Sequence, residues 1–117
     1  MTIKDTLIKK RSLFMYDFVY ITTSNKEESK NIGKTLVEER LAACVNIMPS
    51  IESIYLWKGQ IEEDTESLLI VKTKSRNIYK IIKRVKEIHS YETPAILAVP
   101  IIDGSKDYLD YLDSGID

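Results

Sequence analysis

From Met15 onward the apolar residues switch between strand alternation and a helical period of about 3.6, and the resulting order is β-α-β-β-α-β. That order belongs to the split βαβ arrangement, an α+β sandwich with two helices over one face of a four-stranded antiparallel sheet. Residues 16–23 are aromatic and β-branched and read as a buried strand. Ser24 with Glu27 spells a capping box, so a helix should follow with Ile32, Leu36, Leu41 and Ala42 on its inner face. Strand character resumes at 44–47. Met48-Pro49 interrupts its ladder, because proline has no amide to donate, and a bend or bulge is expected before pairing continues over 52–57. Lys58-Gly59 makes a tight turn, and the chain returns through 60–73 as the second arm of a long hairpin. Ser75 opens a second helix with the stripe Ile78, Ile81, Ile82, Val85 and Ile88. Residues 95–102 form a fourth strand, with Pro100 tolerated at an edge or bulge. Ser105 caps a short C-terminal helix whose packing face is Tyr108, Leu109, Tyr111 and Leu112.

With 117 residues and 44% hydrophobic content, the chain can bury one ordinary core. A single domain is expected over 15–117, preceded by an N-terminal extension over 1–14. The extension carries Lys4, Asp5, Lys9, Lys10 and Arg11 and has neither a continuous apolar run nor a small-residue cleavage site, so it does not read as a secretory signal. Seventeen basic residues against 18 acidic ones leave no broad field for nucleic acid or an anionic membrane. No apolar run approaches the roughly 20 residues of a membrane helix, and a soluble protein is expected. The one cysteine, Cys44, rules out an intramolecular disulfide framework and suits a reducing cytoplasm.

Two helices cannot hide Tyr20, Tyr55 and Trp57 together, so the other sheet face should be bare and the protein an oligomer. The acidic stretch 62–66 has two readings: carboxylates for magnesium or calcium, or charges guarding an exposed hairpin edge.

The chain's only histidine lies in His89-Ser90-Tyr91-Glu92-Thr93-Pro94. A neutral imidazole and a carboxylate can each bind a divalent ion, yet two ligands do not close a site. As plain structure, the same residues end a helix and lead into a strand. Cys44 would suit Cu(I), or would serve as a small buried filler between Ala43 and Val45. Nucleophilic catalysis needs a nucleophile, a base and an orienting group, and one histidine with one cysteine offers no such triad, so an enzyme is not expected. The glycines at 33, 59, 104 and 115 are isolated and build no phosphate loop.

Taken in order, L-A-A-C-V-N-I at 41–47, S-I-Y-L-W-K-G-Q-I-E at 53–62, L-L-I-V-K-T-K at 68–74, H-S-Y-E-T-P at 89–94 and D-Y-L at 107–109 resemble the CutA divalent-cation-tolerance family. The resemblance implies a ferredoxin-like subunit with a C-terminal helix and a long β-hairpin, assembled as a homotrimer that handles copper or another divalent cation without a tightly bound cofactor. On this footing His89, Glu92 and Cys44 are the candidate metal ligands, and Trp57, Lys72 and Tyr91 are expected at clefts between subunits. Trp57 would stack on a ligand or anchor the arm against a neighbouring subunit; Lys72 would hold an anion or pair with Glu92 or another carboxylate across the interface. Some members carry a cysteine and a second histidine where Thr22 and Ile88 stand here, and a proline at the place of Ser90, so a three-ligand copper site does not carry over whole. The trimeric architecture also resembles that of PII-like signalling proteins, which implies as alternatives a small-molecule effector or a scaffold for a protein partner.

Overall fold

The structure, a computed structural model, describes residues 15–117; the extension expected over 1–14 lies outside the described residues. Strand β1 (Tyr16–Thr23) leads to helix α1 (Lys26–Glu38), then strands β2 (Cys44–Trp57) and β3 (Gln60–Lys74). A 3₁₀ turn (Ser75–Asn77) opens helix α2 (Ile78–Ile88), followed by strand β4 (Ile96–Ile101) and helix α3 (Lys106–Gly115). The sheet is antiparallel in the order β2-β3-β1-β4, as the α+β pattern requires. Pro100 sits in the edge strand β4, where a missing amide costs least.

Odd-numbered residues of β1 and β3 point one way: Val19, Ile21, Leu69 and Val71 join Ile32 and Leu36 of α1 and Ile78, Ile81 and Val85 of α2 in one buried core. Helix α1 lies close on this face because Gly33 has no side chain; a Cβ there would stand 2.9 Å from Val45 Cγ2. Below the start of α1, Thr23 Oγ1 lies 2.6 Å from Ser29 Oγ, which lies 2.9 Å from Ser67 Oγ, and Ser67 donates to the Met48 carbonyl. Buried hydroxyls thus tie the helix to the irregular part of the hairpin.

Three expectations are corrected. The N-cap of α1 is Asn25, which accepts from the Glu28 amide, while the Glu28 carboxylate reaches back to Ser24; the reciprocal pattern lies one residue later than Ser24 with Glu27. Leu41 and Ala42 follow the helix instead of lining it. Arg40 takes a left-handed φ of 59°, and the Leu41 and Arg40 amides donate to the Leu36 and Val37 carbonyls, a Schellman ending with arginine where glycine is usual. Finally, the second sheet face is not bare throughout, because α3 crosses one end of it. Asp113 accepts from Tyr16 Oη at 2.7 Å and pairs with Lys74 at 2.9 Å, and Leu112 is buried there. Tyr108 and Tyr111 are half exposed on that helix but still meet the layer beneath with Leu112, Tyr108 accepting from Lys72 Nζ and Tyr111 Oη donating to the Ala43 carbonyl.

The expected interruption at Met48-Pro49 is a bulge: Met48 pairs with Leu68 and Ile51 with Glu66, so β2 holds one more residue than its partner. An extra residue inverts the alternation of everything beyond it. Before the bulge, Val45 and Ile47 face the helices. After it, Ser53, Tyr55 and Trp57 share a face with Asp64 and Glu66, while Ile54, Leu56 and Ile61 lie on the reverse, where no helix reaches them.

Candidate functional site

The 89–94 loop begins where α2 stops. The His89 amide closes the last helical turn on Val85, and its backbone then becomes extended. Its side chain is fully buried. The Tyr91 amide donates to Nδ1 at 3.0 Å, so the ring proton is assigned to Nε2, which donates to the Thr22 carbonyl at 2.8 Å. Both nitrogens are therefore engaged within the chain. No lone pair is left for a metal in this arrangement, and Nδ1 also lies 4.0 Å from the Glu28 carboxylate.

Glu28 holds this loop to the start of α1. Its carboxylate accepts from the Ser90 amide at 2.7 Å and from Ser90 Oγ, Ser24 Oγ and the Ser24 amide, each at 2.9 Å. Burial alone would push its pKa up; the hydrogen bonds from Ser24 and Ser90 outweigh it and hold the group below its ordinary 4.5. Folding thus lowers this pKa, so the stability it brings is fully present above pH 4.5 and is lost as pH falls through the folded value. Glu28→Ala should cost about 1–3 kcal/mol, since it strands donors that now meet a charged acceptor. Glu28→Gln should flatten the acid side of the stability profile, a slope read by urea denaturation across the carboxylate range.

Past the clamp, Tyr91, Glu92, Thr93 and Ala95 form one wall of a cleft of about 520 Å³. The root of the hairpin forms the other, with Ser53, Tyr55, Trp57, Asp64 and Glu66, and Thr22 lies at the base. Tyr91 Oη donates to Glu66 at 2.7 Å and packs its ring 4.8 Å from the His89 ring. Burial, then the Glu66 bond, raises the Tyr91 pKa. Tyr55 Oη donates to Asp64, which pushes its pKa up to about 12. Both phenols are neutral donors at any physiological pH.

The structure brings Trp57, Tyr91 and Glu92 together around this cleft and leaves Lys72 and Cys44 elsewhere. Lys72 pairs in register with Cys44 and Phe18, four positions along β3 from Leu68, which lies opposite Thr22; that is about 13 Å at strand spacing. Its ammonium donates to Tyr108 Oη at 3.1 Å and lies 5.1 Å from that ring's centroid, so within the chain its partner is Tyr108. Cys44 pairs with Lys72, so it lies along the sheet from Thr22, whose carbonyl meets the His89 ring. Among the described residues no three His, Cys, Asp or Glu side chains gather closely enough to hold a metal ion.

Glu28, Tyr55, Asp64 and Glu66 were not singled out by sequence reasoning as site residues. The 62–66 run was legible as acidic, but its assignment to a cleft wall required the bulge register. Glu28 belongs to a local helix-capping pattern, but its role in holding the loop has no sequence sign, because Ser90 is 62 residues away.

A family model described as "CutA1 divalent ion tolerance protein" matches residues 17–115. The chain is 50% identical over 98 residues to the divalent-cation tolerance protein CutA of Thermus thermophilus, covering 84% of this chain and 95% of that one. It is 47% identical over 103 residues to the CutA protein of Archaeoglobus fulgidus, covering 88% and 100%. Among solved structures, the A. fulgidus periplasmic divalent cation tolerance protein superposes with a TM-score of 0.86 at 46% identity, over 88% of this chain and all of that one. CutA1 from Oryza sativa also reaches 0.86, at 40% identity over 88% of this chain and 94% of that one.

Proposed function

The chain belongs to the CutA1 divalent ion tolerance family, and from that membership we propose that it acts in divalent cation tolerance as a cytoplasmic homotrimer that binds copper or a related ion. The observation that carries this reading is the hairpin. Its arms run past the end of β1, and Ile54, Leu56 and Ile61 are each at least 70% exposed. Apolar strands with free edges favour pairing with another copy. The same projection presents Glu66 and Asp64 beside Glu92, so subunits meeting at the hairpin would add ligands to carboxylates that one chain keeps apart.

Glu92 is the ligand this arrangement favours, since it faces the cleft with no hydrogen bond or ion pair among the described residues. His89 and Cys44 are retained as ligands only if assembly frees the imidazole or brings the thiol of a neighbour near. Calorimetric titration with Cu(II), Cu(I) and Zn(II) tests this on the wild type beside Glu92→Ala, His89→Ala and Cys44→Ala. Saturable binding at a fixed ratio per subunit, weakened at least about tenfold by Glu92→Ala, is expected. Binding indifferent to all three substitutions would end the proposal. The cytoplasmic assignment needs fractionation of cells, as relatives bear the names periplasmic and chloroplastic.

A second reading, a small-molecule-binding module, is favoured by the aromatic lining of the cleft.

A further inference from the structure

The cleft is lined by three aromatic side chains, Tyr55, Trp57 and Tyr91, and three carboxylates, Asp64, Glu66 and Glu92, with no lysine, arginine or histidine among them. Metal coordination does not need the rings, and packing does not need the acids. A divalent ion wants oxygen ligands on all sides within about 2.0–2.6 Å, and no such convergence exists among the described residues. An organic cation has no such requirement. Its charge is spread over an apolar body, is attracted to ring faces within about 6 Å and feels carboxylates across a wider gap. The volume, about 520 Å³, falls in the usual range for small organic ligands and far exceeds a bare ion. Tyr55 and Tyr91 donate hydrogen bonds to Asp64 and Glu66, which holds both rings as walls of the cleft. Trp57 already attracts one cation: Lys58 Nζ, from the hairpin turn, lies 5.8 Å from its ring centroid.

We propose that this cleft binds an organic cation, an ammonium group carried on apolar substituents, with Trp57 and Tyr91 as its aromatic walls and Glu92 as its counter-charge. The inference rests on the small-molecule reading of the cleft and names its ligand class. It does not require a metal, because a quaternary ammonium has no lone pair to coordinate one.

Calorimetric titration of the full chain in its native oligomeric state with choline, and with the uncharged isostere 3,3-dimethylbutan-1-ol, tests it. Saturable choline binding at least about tenfold tighter than the alcohol is expected, and Glu92→Gln and Trp57→Leu should each weaken it by about tenfold. Elution volume and melting temperature should not change in Glu92→Gln. Lys58→Gln, which removes the internal competitor, should leave choline binding equal or tighter. Equal affinity for the alcohol would overturn the ligand class and leave the small-molecule cleft standing; binding of neither probe would overturn both. Choline binding untouched by Glu92→Gln and Trp57→Leu would overturn the site.

Discussion

In the proposed trimer, aspartate in place of both Leu56 and Ile61 is expected to leave monomers of 13.5 kDa. The two residues pair across the hairpin and are 70% and 76% exposed, on the face of the arm turned away from the cleft. Burying each such side chain at an interface contributes about 1.5–3 kcal/mol, and a trimer would repeat that gain in every subunit. An unpaired carboxylate at the same place costs several kcal/mol instead, so the double substitution reverses the sign of the contact. Neither residue touches the core of its own subunit, and the circular dichroism spectrum should be unchanged. Light scattering coupled to size exclusion decides the matter. A wild type that itself runs at 13.5 kDa would remove the proposed trimer, and a double variant that keeps an oligomeric wild-type mass would show that copies meet through some other surface.

Leu69→Ala should be the most damaging single change to the subunit itself. Leu69 is fully buried, pairs with Ile21 on one side and Ile47 on the other, and lies 3.3 Å from where a Cβ on Gly33 would stand. Neighbouring backbone on both flanks and a closely seated helix above leave little freedom to collapse into the space. Deleting a buried leucine in such a site costs about 2–5 kcal/mol, and each kcal/mol lowers the melting temperature by about 4–8 °C in a domain near this size. Urea denaturation of both proteins at one protein concentration compares them with any concentration dependence held equal. A loss below about 1 kcal/mol would mean that the helix layer settles onto the sheet more readily than its packing suggests.

Periodicity carried most of the subunit, because Ile78, Ile81 and Val85, or Val19 and Ile21, recur at spacings that only one secondary structure can bury on one side. Boundaries set by a single hydrogen bond were less legible. Arg40 in a left-handed conformation gives no compositional sign, so the helix was extended through Leu41 and Ala42. The position of α3 was hidden for a different reason: Tyr16–Asp113 and Lys74–Asp113 join residues far apart in sequence, and local pattern holds no information on them. In the site, the 89–94 loop, Trp57 and Tyr91 were legible as candidates from residue type and motif. The engagement of both His89 nitrogens was not, since one partner is the Tyr91 amide and the other is the carbonyl of Thr22, groups every residue possesses.

The bulge between Met48 and Ile51 makes the two faces of the hairpin depend on counting rather than on chemistry. An in-frame deletion of one codon there would change no side chain from Ser53 to Trp57, yet it would turn Ile54 and Leu56 toward the cleft and carry Tyr55 and Trp57 to the reverse face. The identity of this surface is written in the parity of a strand bulge as much as in its letters. Alignments that slide a gap through this stretch without penalty will therefore match residues that face opposite ways.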